Sequence, residues 1–293
     1  MSTLVEILDP SFLLRDALVG SLLVGLVCPL VGVYFVLRRM IFLGVALPQL
    51  SAAGIAFAFL AYRTAVGVHA HEEPSERALA MAGSFAFTLV GLLVLAALER
   101  RGRETLEARI GTTYALAASA TILFLAADPY GEAHLVNLLK GDITTTQSGH
   151  VTLLAVIYGA VVLALAAFRK ELLLVSFDRE LAMVFGRSVA LWDGLLYLLI
   201  GITISLGVMT AGPLVTFGFL VVPALTARLL VRRMPTFSVA ASAIGAAAAF
   251  VGFWAAYAWD LPLGPSQVAT ACVGLLAAGA WNALCRRAGR RRV

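Results

Sequence analysis

The stretch VLRRMIFLGVALPQLSAAGIAFAFL, Val36 to Leu60, sets two arginines between apolar runs that each extend for about twenty residues, then places a proline and a glutamine inside the second run. A helix rising 1.5 Å per residue needs about 20 mostly apolar residues to cross roughly 30 Å of hydrocarbon. The stretch therefore reads as two membrane-crossing helices joined by a short basic hairpin. The rest of the chain agrees with that reading. It is 61% hydrophobic and 13% charged, with a mean hydropathy of +0.93, whereas soluble domains average about 25% charged residues.

Working outward from the hairpin, nine apolar segments are long enough or nearly long enough to span: Ala17 to Leu37, Ile41 to Tyr62, Ala78 to Leu98, Ile110 to Ala127, Val151 to Phe168, Leu191 to Met209, Pro213 to Ala227, Thr236 to Trp259 and Ser266 to Leu284. Their continuity excludes a membrane barrel, whose strands are short and alternate. The expected fold is all-α, a polytopic membrane helical bundle of about nine helices forming a single transmembrane domain over residues 1–293. Lysine and arginine collect on the cytoplasmic side of such bundles. With the N-terminus outside and the C-terminus cytoplasmic, all of the 22 basic residues except Arg15, Arg63, Arg77 and Lys140 fall inside. The net charge of +5 then follows from sidedness and from the basic tail CRRAGRRRV, which points to anionic lipid headgroups and away from nucleic acid. The opening residues MSTLVEILDP lack a positive n-region and a small-residue cleavage site, so no removable signal peptide is expected. Cys28, Cys272 and Cys285 show no ligand spacing and read as small core residues.

No Asp, Glu, Lys, Arg or His lies in the middle of any expected span. Proton-coupled carriers keep such a group at membrane depth, so a secondary carrier or channel is disfavoured. The chain also lacks G-x-x-x-x-G-K-[ST], the loop that cradles nucleotide phosphates. It is not expected to be an enzyme, and ATP-driven work would belong to another polypeptide. A docking site for that polypeptide should be a polar, preorganised cytoplasmic loop. The best candidate is FRKELLLVSFDRELAMVFGRSVALWDG, with a coupling segment at about 171–190. Ser176 and Asp178 are N-cap candidates, Glu180 follows in the first turn, and Gly186 can close a short helix whose Leu181, Met183, Val184 and Phe185 form an apolar surface. From these residues alone, docking and an ordinary interfacial helix lying on lipid are equally good readings.

SFDRELAMVFG resembles the S-F-D-x-E-x-A-x-x-x-G segment of the bacterial permeases of the zinc/manganese/iron ABC importer family, the ABC-3 family. FVLRRMIFLG, LLKGDI, FLVVPALTARLL and DLPLGPS are similar to four further segments of that family, in the same order along nearly the whole chain. The resemblance implies a permease subunit of the bacterial plasma membrane that imports a divalent metal ion, zinc, manganese or iron. It also implies ABC ATPase subunits as partners, an extracytoplasmic metal-binding lipoprotein, and a second permease subunit, most simply an identical one. The family's coupling helix carries over onto Phe177, Asp178, Glu180 and Gly186. No cofactor is expected on this chain itself, with ATP used by the partner.

The chain departs from the family pattern after the hairpin. Where members read G-D-x-L-S-H-x-x-L-P-G, it reads GVALPQLSAAG, so that Val45 and Gln49 occupy the Asp and His positions of the substrate pathway. A carboxamide oxygen is a neutral, hard donor, poor at holding zinc against water, and Pro48 can kink the helix and release a carbonyl. A pathway of altered substrate or weaker metal affinity, pairing with a second permease that keeps the ligands, and plain packing all remain open, as does a non-transporting scaffold subunit. The loop GVHAHEEPSER offers His69, His71, Glu72 and Glu73 as weak replacement ligands, against the alternative of a merely solvated loop. His134 and His150 each read as structural.

Overall fold

Lipid supplies no hydrogen bonds, so a spanning backbone must satisfy its own polar groups, and continuous apolar segments become helices. A computed structural model describes residues 14–66, 76–99, 106–128, 148–231 and 233–290; among them there are ten helices and no strand. In chain order these are α1 (Arg15–Leu37), α2 (Leu43–Val66), α3 (Glu76–Glu99), α4 (Leu106–Ala127), α5 (Ser148–Ala167), α6 (Arg169–Phe177), α7 (Arg179–Val184), α8 (Val189–Leu230), α9 (Met234–Trp259) and α10 (Leu263–Arg290). Eight of them, all but α6 and α7, are long and apolar enough to cross a membrane.

The difference from nine expected spans lies in α8, whose 42 residues would reach about 63 Å if straight, twice the hydrocarbon thickness. Gly212 interrupts it with φ 81° and ψ 165°. The residue before a proline is pushed out of the helical region, and here Pro213 follows a glycine, which takes positive φ without a Cβ penalty. The segments expected as separate spans at Leu191 to Met209 and Pro213 to Ala227 are thus two helices that meet at Gly212, divided by a single non-helical residue.

Contacts divide the chain into two compact units: Met1–Arg39, Ile143–Val162 and Val215–Val293 form the first, Met40–Asp142 and Leu163–Leu214 the second. In the first unit α1 packs along α9. The two helices approach at Gly25 and Gly245, where an added Cβ on Gly25 would stand 2.8 Å from the Gly245 carbonyl oxygen and from Ala249 Cβ. Further along, Val33, Val36, Ala224, Ala227, Phe237 and Ala241 form a buried cluster. The Ser242 hydroxyl donates to the Leu26 carbonyl at 2.8 Å, and the Gln267 amide to the Ala249 carbonyl at 3.3 Å. Small residues drive such contacts, since hydrocarbon offers helices no hydrophobic reason to associate. The alanine and glycine richness of α9 therefore serves the close contact expected of it.

In the second unit α2 packs on α3 and α4. Gly54 and Gly83 face one another backbone to backbone, the Ser51 and Ser84 hydroxyls hydrogen-bond at 2.5 Å, and Phe57 stacks near Phe87 and Phe124, with centroids 5.2 and 5.4 Å away. Of the cysteines, Cys28 is buried, Cys272 is half-buried, and Cys285, expected as a core residue, is exposed near the end of α10.

The tightest glycine contact yields a stability prediction. A Cβ at Gly32 would run into the backbone carbonyl of Leu220, whereas one at Gly159 would meet nothing within 4 Å. Overpacking of this kind costs about 1–3 kcal/mol. Gly32→Ala is expected to lower the melting temperature in detergent by several degrees, and Gly159→Ala to leave it unchanged, as read from the fraction remaining monodisperse after heating.

Candidate functional site

The segment between α5 and α8 is built by local chain chemistry. Helical hydrogen bonding runs nearly without pause from α5 into α6, with Phe168 N–H donating to Ala164 and Leu172 N–H to Phe168. It stops at Asp178, whose backbone is extended at φ −148° and ψ 101°. The Asp178 carboxylate accepts from the Leu181 amide at 2.9 Å, which satisfies one of the donors a helix start leaves open. Asp178 is therefore the N-cap of α7, and Glu180 adds a second negative charge at the positive end of the helix. Ser176, the other expected cap, is not one: its hydroxyl turns back within α6 and donates to the Leu172 carbonyl at 2.6 Å.

α7 ends as locally as it begins. Gly186 takes φ +69°, its amide donates to the Met183 carbonyl at 2.9 Å, and the Arg187 amide donates to Ala182 at 3.0 Å. This is the paired bonding of a Schellman closure, in which glycine accepts the left-handed conformation. Two ion pairs then tie the element down. Arg179 reaches forward to Asp193 on α8 at 3.3 Å, and Arg187 reaches back to Glu171 on α6 at 3.7 Å. Each exposed pair contributes little by itself, about 0–1 kcal/mol, but the two pull from opposite ends of a six-residue helix. Nothing in the local pattern singles these pairs out, because they depend on how the chain folds back across α7.

The held element presents an apolar surface. Ala182 is fully buried, while Phe177, Met183, Phe185 and Val184 are exposed at 59%, 59%, 66% and 82%. An exposed apolar cluster on a capped, ion-paired element suits contact with another macromolecule or with a lipid surface.

Val45 and Gln49 lie near the start of α2, four residues apart and so on one face, both half-buried. Between them Pro48 is buried within the helix and has no N–H to give the Gly44 carbonyl. Neither residue brings a charge or an imidazole. Among the described residues no group of three or more His, Cys, Asp and Glu side chains could hold a metal ion. His69, His71, Glu72 and Glu73, with His134, lie outside the described residues; His150 is half-buried in the first turn of α5.

A pair of charges that the sequence reading passed over also lies in the second unit. Arg63, in the last turn of α2, places Nη1 3.0 Å from Oδ1 of Asp128, just beyond α4. Asp128 could have been noticed as the first acid after an apolar run, but its pairing with Arg63 depends on the packing of α4 against α2.

The sequence profile of the ABC 3 transport family matches residues 11–281. The manganese import system permease protein ScaB of Streptococcus gordonii is 25% identical over 260 residues, covering 89% of this chain and 88% of that protein. The manganese transport system membrane protein MntC of Listeria monocytogenes is 26% identical over 260 residues, covering 89% and 87%. Among solved structures, PsaBC from Streptococcus pneumoniae in complex with Fab shares the fold with a TM-score of 0.80, at 23% identity and 94% coverage of both chains.

The capping geometry predicts a local effect. Removing an N-cap side chain costs about 1 kcal/mol, a factor of about five in the opening equilibrium. Asp178→Ala is expected to speed hydrogen exchange at the Leu181 amide by about fivefold, while Asp178→Asn keeps the acceptor and leaves the rate close to wild type.

Proposed function

The chain belongs to the ABC 3 transport family, as a multi-pass permease of the bacterial plasma membrane and not an enzyme, and we propose that it passes a divalent transition metal ion, manganese first among them, inward across that membrane. The observation that carries this reading is the family match over nearly the whole chain together with two manganese permeases of similar length among its relatives. ATP is bound and split by separate ATPase subunits, a metal-binding lipoprotein delivers the ion from outside, and a second copy of this chain completes the permeation unit.

Sidedness follows from the cations. The N-terminal end of α1 and the C-terminal end of α2 face out; the Arg38–Arg39 hairpin, α7 and the C-terminal end of α10 face in. In this arrangement α7 is the coupling helix. Phe177 and the apolar residues beside it seat in a groove of the ATPase subunit, Asp178 and Gly186 hold the helix at fixed length, and Glu180 fixes its first turn. Closure of the ATPase pair on ATP pushes α7, and the ion pairs to Glu171 and Asp193 pass that motion into α6 and α8.

The α2 face carrying Val45 and Gln49 lines the ion's route. A carboxamide oxygen is a neutral, hard ligand, and a valine is none, so the ion is passed along without being held. Such a route favours manganese, which accepts oxygen donors, over zinc, which prefers nitrogen and sulfur.

Three measurements test this reading. Cells dependent on the importer are expected to accumulate manganese, and vanadate-sensitive ATP hydrolysis by the purified complex should fall by at least about tenfold in Asp178→Ala with Glu180→Ala. If the wild-type importer accumulates none of manganese, zinc or iron, the metal reading fails. Gln49→His supplies an imidazole at the same helical position and is expected to shift accumulation towards zinc, as read by elemental analysis of cells grown with both ions.

A further inference from the structure

Three helix ends meet in the first unit, and each brings an exposed arginine. A buried cluster of Val33 and Val36 from α1, Ala224 and Ala227 from α8, and Phe237 and Ala241 from α9 holds those ends together. One carbonyl marks how close the first two arginines come. The Val36 oxygen accepts from Arg228 Nη1 at 3.3 Å and from the Arg39 backbone amide at 3.4 Å. Arg233 stands one turn before Phe237, whose amide donates to the Arg233 carbonyl at 2.9 Å. Arg39, Arg228 and Arg233 are exposed, whereas the guanidinium nitrogens of the neighbouring Arg38 are buried.

Local chemistry accounts for only part of this arrangement. A cation complements the C-terminal ends of α1 and α8, but Arg233 is the N-cap of α9, where the helix end is itself positive. Arg39 holds φ 59°, a conformation that glycine takes freely and an arginine does not. What arginine adds there is its side chain. Nor does the first unit bring a carboxylate to this end: among its described residues the acids are Asp16, at the start of α1, and Asp260, just past α9, each a whole helix away. The bias of basic residues towards the cytoplasm selects a side of the membrane, and it does not gather three of them at one junction. Like charges drawn together from three helices repel, and an anion among them removes that repulsion.

We propose that Arg39, Arg228 and Arg233 seat the phosphodiester headgroup of an anionic phospholipid in the inner leaflet. A guanidinium binds phosphate oxygens through paired, parallel hydrogen bonds, and three of them on three different helices can share one headgroup. Depth selects a lipid over a free anion. The arginines stand at the ends of membrane-crossing helices, where headgroups lie, and Leu229 and Leu230, 41% and 50% exposed beside Arg228, offer an apolar surface to the acyl chains. The bound headgroup neutralises the junction and ties the ends of α1, α8 and α9 to one another. The inference uses the sidedness proposed above only to name the leaflet, and it stands whichever ion the permease carries.

Native mass spectrometry tests the site, on the full chain offered equal amounts of phosphatidylglycerol and phosphatidylcholine. Arg290, Arg291 and Arg292 are replaced by glutamine throughout, so that the tail adds no lipid binding of its own. This chain is expected to prefer phosphatidylglycerol, and each arginine of the junction to contribute about fivefold to the preference. Arg39→Gly eases the backbone as it removes a guanidinium, so it is expected to melt no lower than its parent and still to lose about fivefold. Adding Arg233→Gln brings the loss to about 25-fold, while Lys170→Gln, on α6, changes nothing. Four results overturn the proposal: no preference in the parent chain, an unchanged preference in Arg39→Gly with Arg233→Gln, an equal loss in Lys170→Gln, which marks diffuse surface charge, or displacement of the lipid by inorganic phosphate at equal concentration, which marks a site for a free anion. Should the preference survive in Arg39→Gly with Arg233→Gln while the assembled importer sheds its ATPase subunits, the arginines face that protein and the lipid site is refuted. Failure to accumulate any metal ion defeats the importer reading alone and leaves this preference as it is.

Discussion

The constraint on which everything else depends is that hydrocarbon cannot hydrogen-bond a peptide group. It forces the apolar segments of this chain into helices and makes each departure from helix expensive unless a particular residue compensates for it. Four departures among the described residues have a chemistry of their own: Gly212 before Pro213 inside α8, Pro48 inside α2, and the Asp178 cap and the Gly186 closure around α7. The first two lie within apolar segments, where close packing can absorb a lost bond. The last two lie in an exposed segment, where their role is to fix the length and orientation of a six-residue helix.

That distinction separates the parts of the molecule by task. Helix pairs such as α1 with α9 and α2 with α3 approach through glycines and are tied by hydroxyl hydrogen bonds, from Ser242 to the Leu26 carbonyl in one and between Ser51 and Ser84 in the other. Charge is instead placed at helix ends. It staples α7 through Glu171 and Asp193, and it pairs Arg63 with Asp128 at the end of α2. In the proposed coupling the permease receives motion from outside the bilayer, and α7 combines an exposed apolar surface with ion pairs to its neighbours in the second unit.

What could be read from the sequence followed the range of the interactions involved. The spans were legible because hydropathy is a local sum, and their ends moved by only a few residues, as with Val151 to Phe168 against the observed Ser148–Ala167. Asp178 and Gly186 were legible because a cap and a Schellman closure are completed within six residues. Ser176 was misread because two cap candidates stood two residues apart, and only the folded chain shows that α6 continues through the first of them. The break between two spans at Gly212 was legible, but not that it is confined to one residue, since periodicity cannot tell a loop from a single non-helical residue. The Arg63–Asp128 and Arg179–Asp193 pairs join residues from different helices, and nothing in a hydropathy pattern selects them. Val45 and Gln49 stand out only by comparison with a family pattern, because neutral residues on a helix face carry no signal of their own.

The central claim is that α7 faces the cytoplasm and is covered by an ATPase subunit. Labelling Val184→Cys with a membrane-impermeant maleimide, in a background with Cys28, Cys272 and Cys285 replaced by alanine, tests it most directly. The account predicts modification in inside-out vesicles, none in intact cells, and protection when purified ATPase subunit is added to stripped vesicles. Modification in intact cells, or equal labelling with and without that subunit, would contradict it.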